Sequence, residues 1–141
     1  MRYFEDFQLG ESSSTRSRTI TETDITSFSM LSGDWYPLHS DAEFAKKSMF
    51  GQRIAHGMLI LSVATGLIPL PEMSIIAFYG MDSVRFVNPV CIGDTITVHM
   101  NVVDARQKEQ GGVITQKCAI LNQRNETVVL ADLHLLLENR S

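Results

Sequence analysis

"HGMLILSVATGLIPLP", residues 56–71, is the stretch whose reading decides the fold. It is apolar on nearly every face until Gly66, Pro69 and Pro71 break it. A surface helix keeps one polar face for water, so a helix that is apolar all round is predicted to be buried all round. Something must wrap it, and the chain downstream supplies the wrapper. There the hydrophobic period shortens from that of a helix to that of strands. "SIIAFYGMDSVRFVNPV" (74–90) leads into "DTITVHMNVVDA" (94–105), where Ile96, Val98, Met100 and Val102 alternate with Thr95, Thr97, His99 and Asn101. "GGVITQKCAILNQ" (111–123) and "ETVVLADLHLLLEN" (126–139) continue the strands, joined through the charged turn "ARQKEQGG" and the turn "NQRNE". Val129, Ala131, Leu133, Leu135 and Leu137 form an uninterrupted apolar face. Helices first and then an antiparallel meander predict an α+β domain, a curved sheet around one apolar helix.

Composition sets the outer limits. A chain of 141 residues with 44% hydrophobic and 20% charged content fits one domain, residues 1–141, with material for a real core. A net charge of −4 with scattered basic residues argues against nucleic acid as a partner. Cys91 and Cys118 lie in apolar segments without C-x-x-C spacing, which predicts buried free thiols in a reducing compartment and gives no support to a zinc site. "MRYFEDFQLG" lacks an apolar signal core, and the longest apolar run is shorter than the roughly 20 residues a spanning helix needs. A soluble, cytoplasmic protein without a membrane partner is expected.

Upstream of the apolar helix, "SSSTRSRTI" alternates weakly and suits an edge strand at most. Thr21 with Asp24 forms a capping-box pattern, Ile25, Phe28 and Leu31 follow at helical spacing, and Gly33 ends the run, so residues 22–32 read as a helix. Ser40 with Glu43 repeats the capping pattern and Glu43 with Lys47 adds an i, i+4 pair, predicting a short helix over 41–47. Asp34 to His39 is then a linker between helices, stiffened by Pro37. Taken alone, an Asp after Gly33 and a His after Pro37 are ordinary turn and capping residues.

Their surroundings change that reading. "SGDWYPLHSDAEFA" (32–45) together with "IAHGML" (54–59) resembles the signature of the MaoC-like dehydratases, the (R)-specific enoyl-CoA hydratases, whose motif runs roughly G-D-x-N-P-[LIV]-H-x-D-x-x-[FY]-A. "YFEDFQLG", "TITETDI" and "VRFVNPVCIGDTI" stand in the order that family shows, so the likeness covers most of the chain. The resemblance implies the hotdog fold, an antiparallel sheet wrapped around a long helix, and a homodimer or higher homo-oligomer with the active site near the subunit interface. It implies addition of water to a trans-2-enoyl thioester of coenzyme A, giving an (R)-3-hydroxyacyl product, or the reverse dehydration, with no metal and no redox cofactor. Asp34 and His39 fall on the catalytic acid and histidine, and Gly57 on the glycine whose N–H polarises the thioester carbonyl. Tyr36 departs from the pattern, standing where the family has asparagine, which bears on substrate preference.

Such chemistry explains the residue types. Hydration needs a base to take a proton from water and an acid to return one to the alpha carbon, and a carboxylate with an imidazole can share one water for both. Charge developing on the thioester oxygen calls for a fixed donor, and the Gly57 N–H at a helix start is one. Around this centre, Trp35, Tyr36 and Met58 are candidates to line a substrate channel, Trp35 and Tyr36 equally for subunit packing. His56 is expected to tie the helix start to a nearby carbonyl or carboxylate. Ser62 and Thr65 either serve the site, Thr65 by supporting the catalytic acid as the family's hydroxyl does, or bond back to their own helix. Arg53, with Lys46 and Lys47, is a candidate for the coenzyme diphosphate or for plain surface charge. Two rivals stay open: a thioesterase on the same fold, and an acyl-CoA-binding module without turnover.

Overall fold

The computed structural model describes residues 1–141. In chain order the elements are β1 (Ser12–Ser14), β2 (Arg18–Thr19), α1 (Glu22–Ser32), α2 (Pro37–Ser40), α3 (Ala42–Lys46), α4 (Gly57–Leu67), β3 (Ile75–Phe86), β4 (Thr95–Lys108), β5 (Gly111–Leu121) and β6 (Thr127–Leu137). The sheet runs β1-β4-β5-β6-β3 with every pairing antiparallel, and β2 adds to another part of β4. The weak "SSSTRSRTI" segment thus forms two short edge pieces, as expected. On the opposite edge lies β3, twelve residues long, with Ile76, Phe78 and Tyr79 exposed.

Alternation in the strands becomes the core. Ile96, Val98, Met100 and Val102 are buried on one face of β4, and Val129, Ala131, Leu133, Leu135 and Leu137 on one face of β6. Each fully buried aliphatic side chain contributes roughly 1.5–3 kcal/mol. Helix α4 lies against this face through Leu59, Ile60, Val63, Ala64 and Leu67. It is not buried all round. Met58, Ser62 and Gly66, at i, i+4 and i+8, form an exposed stripe, because the sheet curves over one side of the helix only.

Helix α1 spans the residues its caps predict. The Thr21 hydroxyl accepts the Asp24 N–H at 3.2 Å, Asp24 Oδ2 accepts the Thr21 N–H at 2.8 Å, and Gly33 closes the helix in the left-handed conformation, φ 77°. Its buried residues are Ile25 and Ser29, with Phe28 half-buried, whereas Leu31 is exposed. The expected 25/28/31 face is therefore rotated, and a serine takes part in the buried contact.

The linker also differs in detail. Pro37 opens a single helical turn, α2, a position where its missing N–H costs nothing. The cap of α3 is Asp41, whose Oδ1 accepts the Glu43 and Phe44 N–H groups at 3.0 Å each. Ser40, the expected cap, instead donates to the Trp35 and Tyr36 carbonyls, 2.9 and 3.2 Å away. Glu43 pairs with Lys46, three residues on, not with Lys47. Backbone bonds from Ile54 N–H to the Leu38 carbonyl and from Ala55 N–H to the Val90 carbonyl fasten this region to the turn before β4.

Candidate active site

Asp34 leaves α1 just beyond its left-handed cap, and the chain is fixed there by local hydrogen bonds. The Asp34 N–H donates to the Ser32 hydroxyl at 3.1 Å, and Asp34 Oδ1 accepts the Tyr36 N–H at 3.1 Å, an Asx turn that aims the carboxylate. The carboxylate is solvent-exposed. One turn later, on α2, the His39 ring approaches the Ile54 carbonyl, Nδ1 to oxygen 2.7 Å. A carbonyl only accepts, so Nδ1 carries the proton, and in the neutral ring Nε2 presents its lone pair.

His56 lies directly against His39, ring centroids 3.9 Å apart and planes 29° from parallel. It is 2% exposed, and its Nε2 reaches the backbone carbonyl of Asp34 at 3.0 Å. The Ser29 hydroxyl, on α1, sits 3.1 Å from that same Nε2, and the Phe28 ring lies tilted against His56, centroids 4.9 Å apart. Asp34, His39 and His56 are thus brought together, one polar atom from each within 4.8 Å of the others. As potential metal donors they are poorly aimed: the His39 Nδ1 is occupied by Ile54, and two stacked imidazoles direct their in-plane lone pairs side by side instead of at a common centre. The arrangement suits proton transfer.

Gly57, immediately after His56, is the first residue of α4, and no side chain caps that helix start. Its leading N–H groups remain available to an oxygen carrying negative charge. A Cβ added at Gly57 would fall 2.6 Å from Phe86 Cδ1, so Gly57 is where another group lies hard against the backbone. Beside it opens an apolar cavity of about 450 Å³, lined by Gly57, Met58, Phe86, Val87 and Pro89 among others. Phe86 was not singled out by sequence reasoning; only its place in the "VRFVNPV" segment hinted at it.

The other candidates divide. Met58 lines the cavity and is exposed. Trp35 and Tyr36 are exposed beside the site, Tyr36 edge-on to His39 with centroids 6.2 Å apart. Ser62 Oγ donates to the Met58 carbonyl at 2.8 Å and Thr65 Oγ1 to the Ser62 carbonyl at 2.7 Å, so both hydroxyls serve their own helix. Arg53 pairs with Glu22, Nη2 to Oε1 2.7 Å, tying the loop to the start of α1. Burial pushes the Cys118 thiol up to about 12, and it also raises the half-buried Cys91, so neither is an activated thiolate.

A single antiparallel sheet curved around one helix defines a hotdog-fold domain, with Asp34, His39 and His56 gathered beside the start of that helix. More particularly, the chain belongs to the MaoC-like domain family, whose model matches residues 6–123. It is 43% identical over 110 residues to Protein MaoC of Klebsiella aerogenes, which covers 77% of this chain and 33% of that protein. The chain therefore spans about a third of that relative's length. It is 41% identical over 106 residues to an (R)-specific enoyl-CoA hydratase of Rhodospirillum rubrum, covering 72% of this chain and 70% of the relative. Among solved structures, the monoamine oxidase regulatory protein of Archaeoglobus fulgidus superposes with a TM-score of 0.92 at 44% identity, over 99% of this chain and 95% of that one. No helix is long and apolar enough to cross a membrane.

Proposed function

We propose that this protein adds water across the double bond of a trans-2-enoyl-CoA to give the (R)-3-hydroxyacyl-CoA, or runs the reverse dehydration. The observation that carries the reading is the convergence of Asp34 and His39 beside the uncapped start of α4, with the His39 proton held on Nδ1 by Ile54. A water held between the Asp34 carboxylate and His39 Nε2 gives up a proton to one of them as its oxygen bonds to C3. The double-bond electrons move toward the thioester oxygen, where the Gly57 N–H stabilises them. The Cα–H bond then forms with a proton returned by the pair, so one water has been added and both groups regain their starting state. The apolar cavity beside Gly57 is suited to the acyl group. The names of related hydratases support the reaction class.

A second copy of the chain completes the site in this reading. Asp34, Trp35 and Tyr36 lie open to water, while β3 offers a long unpaired edge with Ile76, Phe78 and Tyr79 exposed and α4 an uncovered stripe. A dimer pairing through β3 would cover apolar surface and exclude water.

The test is loss of the enoyl-thioester absorbance band with crotonyl-CoA, wild type beside Asp34→Asn, followed by chiral analysis of the product. Formation of the (R)-alcohol by wild type and a fall of at least about 10²-fold in the variant are expected, the magnitude typical of a lost general acid–base group. An unchanged band across short, medium and branched enoyl-CoAs would refute the hydratase. Thiol release from a saturated acyl-CoA would then identify a thioesterase, and ligand binding without turnover a binding module.

A further inference from the structure

Ser29 is a polar residue that stability does not require where it stands. It is 1% exposed, on the face of α1 that packs toward the start of α4, and its hydroxyl meets His56 Nε2 at 3.1 Å. His56 is as deeply buried, and its Nδ1 has no hydrogen-bond partner. A buried hydroxyl and a half-satisfied imidazole cost stability compared with an apolar pair of the same shape. What the pair touches accounts for it. The edge of the His56 ring holds the backbone carbonyl of Asp34 at 3.0 Å, and its face supports the His39 ring at 3.9 Å.

We propose that Ser29 and His56 are a positioning pair for the acid and the imidazole of the site, an inference that rests on the hydratase reading. His39 has a single ring hydrogen bond, Nδ1 to Ile54, and one bond leaves a ring free to tilt about the bond axis. The flat face of His56 removes that tilt. Rotation of His56 within its own plane is stopped in turn by the Nε2–H, which is shared between the Asp34 carbonyl and the Ser29 hydroxyl. The Phe28 ring packs against His56 at a tilt of 58°, centroids 4.9 Å apart. Ser29 and His56 never touch substrate in this arrangement. They fix the relative placement of two groups that do, through one backbone carbonyl and one ring face, and a misplacement of about 1 Å between reacting groups can lower a rate roughly 10²-fold.

The test separates edge from face. His56→Phe keeps the ring face and loses the donor. His56→Gln places an amide N–H where Nε2 was and loses the face. Ser29→Ala removes only the hydroxyl. With crotonyl-CoA, kcat is expected to fall about tenfold or more in both His56 variants and several-fold in Ser29→Ala, with KM within about threefold, since positioning acts on the transition state. Ser29→Ala added to His56→Phe should lower kcat no further, because its partner is already gone. Nitrogen-15 NMR of the His39 ring gives a readout that needs no turnover: one sharp set of ring signals in wild type, and broadened or shifted signals in the variants, where the ring is free to tilt on its Nδ1–H bond to Ile54. Folded variants with an unchanged His39 signature and kcat within twofold of wild type would overturn the proposal, as would a loss confined to KM. If His56→Phe does not fold, Ser29→Ala decides by the same two readouts. Should wild type hydrate no enoyl-CoA, the hydratase reading falls and the His39 ring signals still decide this one.

Discussion

Replacing Gly57 by Ala tests the site with the smallest possible change, a single methyl group. Gly57 opens α4 with ordinary helical backbone, so alanine fits the chain itself, and helix propensity favours it by up to about 1 kcal/mol. The opposing effect is the new Cβ, 2.6 Å from Phe86 Cδ1. That neighbour is the rim of a ring 53% exposed, which can swing outward into solvent. The two effects offset, and stability should stay within about 1 kcal/mol, a shift in Tm of roughly 2–4 °C for a domain near this size. Activity should not survive so well. In the proposed reaction the thioester carbonyl comes to hydrogen-bonding distance of the Gly57 N–H, and the methyl with the displaced ring would crowd that approach. Losing one such donor typically costs 10²–10³-fold, about 2.7–4 kcal/mol of transition-state stabilisation. Steady-state hydration of crotonyl-CoA beside a thermal melt reads both quantities. Adding Phe86→Ala separates the causes: the ring is removed but the methyl stays, so kcat/KM should remain low. A Gly57→Ala enzyme with wild-type kcat/KM would refute close backbone approach at this position. Recovery in the double variant would assign the loss to Phe86 instead.

Three further outcomes are expected. Asp94 is 6% exposed, accepts the Cys91 N–H at 2.9 Å and the Gln123 side chain at 2.7 Å, and so organises the turn that fastens Ile54 and Ala55; Asp94→Ala should lower stability by about 1–3 kcal/mol in urea titration and lower kcat with it. Acid should weaken the start of α1: burial raises the Asp24 carboxyl, but the Thr21 N–H and hydroxyl and Arg18 outweigh it and hold the group below its ordinary 3.8. A depressed carboxylate contributes stability that is present above its unfolded value and lost as pH falls through the folded one, so the urea midpoint should drop below about pH 4 in wild type and drop less in Asp24→Asn. Phe78→Lys, on the exposed edge of β3, should convert a dimer to a monomer by light scattering; a wild-type monomer at working concentration would refute the proposed pairing.

What was legible from sequence follows from what local interactions fix. Thr21, Asp24 and Gly33 act within one turn of the helix ends they define, and α1 begins and stops where they place it. Strand alternation likewise announces its own buried face, and the sheet around α4 followed. The misreadings arise where tertiary contact decides between local options of similar energy. Ser40 and Asp41 are both competent caps, and the Trp35 and Tyr36 carbonyls, reachable only once Pro37 opens a helical turn, claim the Ser40 hydroxyl. Helix α4 is apolar enough for burial all round, yet whether its Met58–Ser62–Gly66 stripe is covered depends on how far a sheet can curve. Ser29 gave no signal at all, being one hydroxyl among several in "TITETDITSFSMLSG", distinguished only by the packing of α1 against α4.

The motif residues Asp34 and His39 could be picked out of the linker, but part of what orients them is backbone, and backbone carbonyls leave no mark on a sequence. The His39 proton rests on the Ile54 carbonyl and the His56 proton on the Asp34 carbonyl. Ile54 is held in turn by its N–H to Leu38 and its bridge to Cys91, so the turn over residues 88–94, which reads as a plain structural corner, sets the tautomer of an imidazole on another element. This division has a consequence for substitution. Side chains at Leu38, Ile54 and Cys91 can change while their carbonyls and N–H groups stay in place, whereas anything that moves the path of the chain there, a proline at Ile54 above all, removes the N–H to Leu38 and shifts the carbonyl His39 depends on. The site should therefore tolerate side-chain changes in those supporting loops and fail on insertions, deletions and prolines within them.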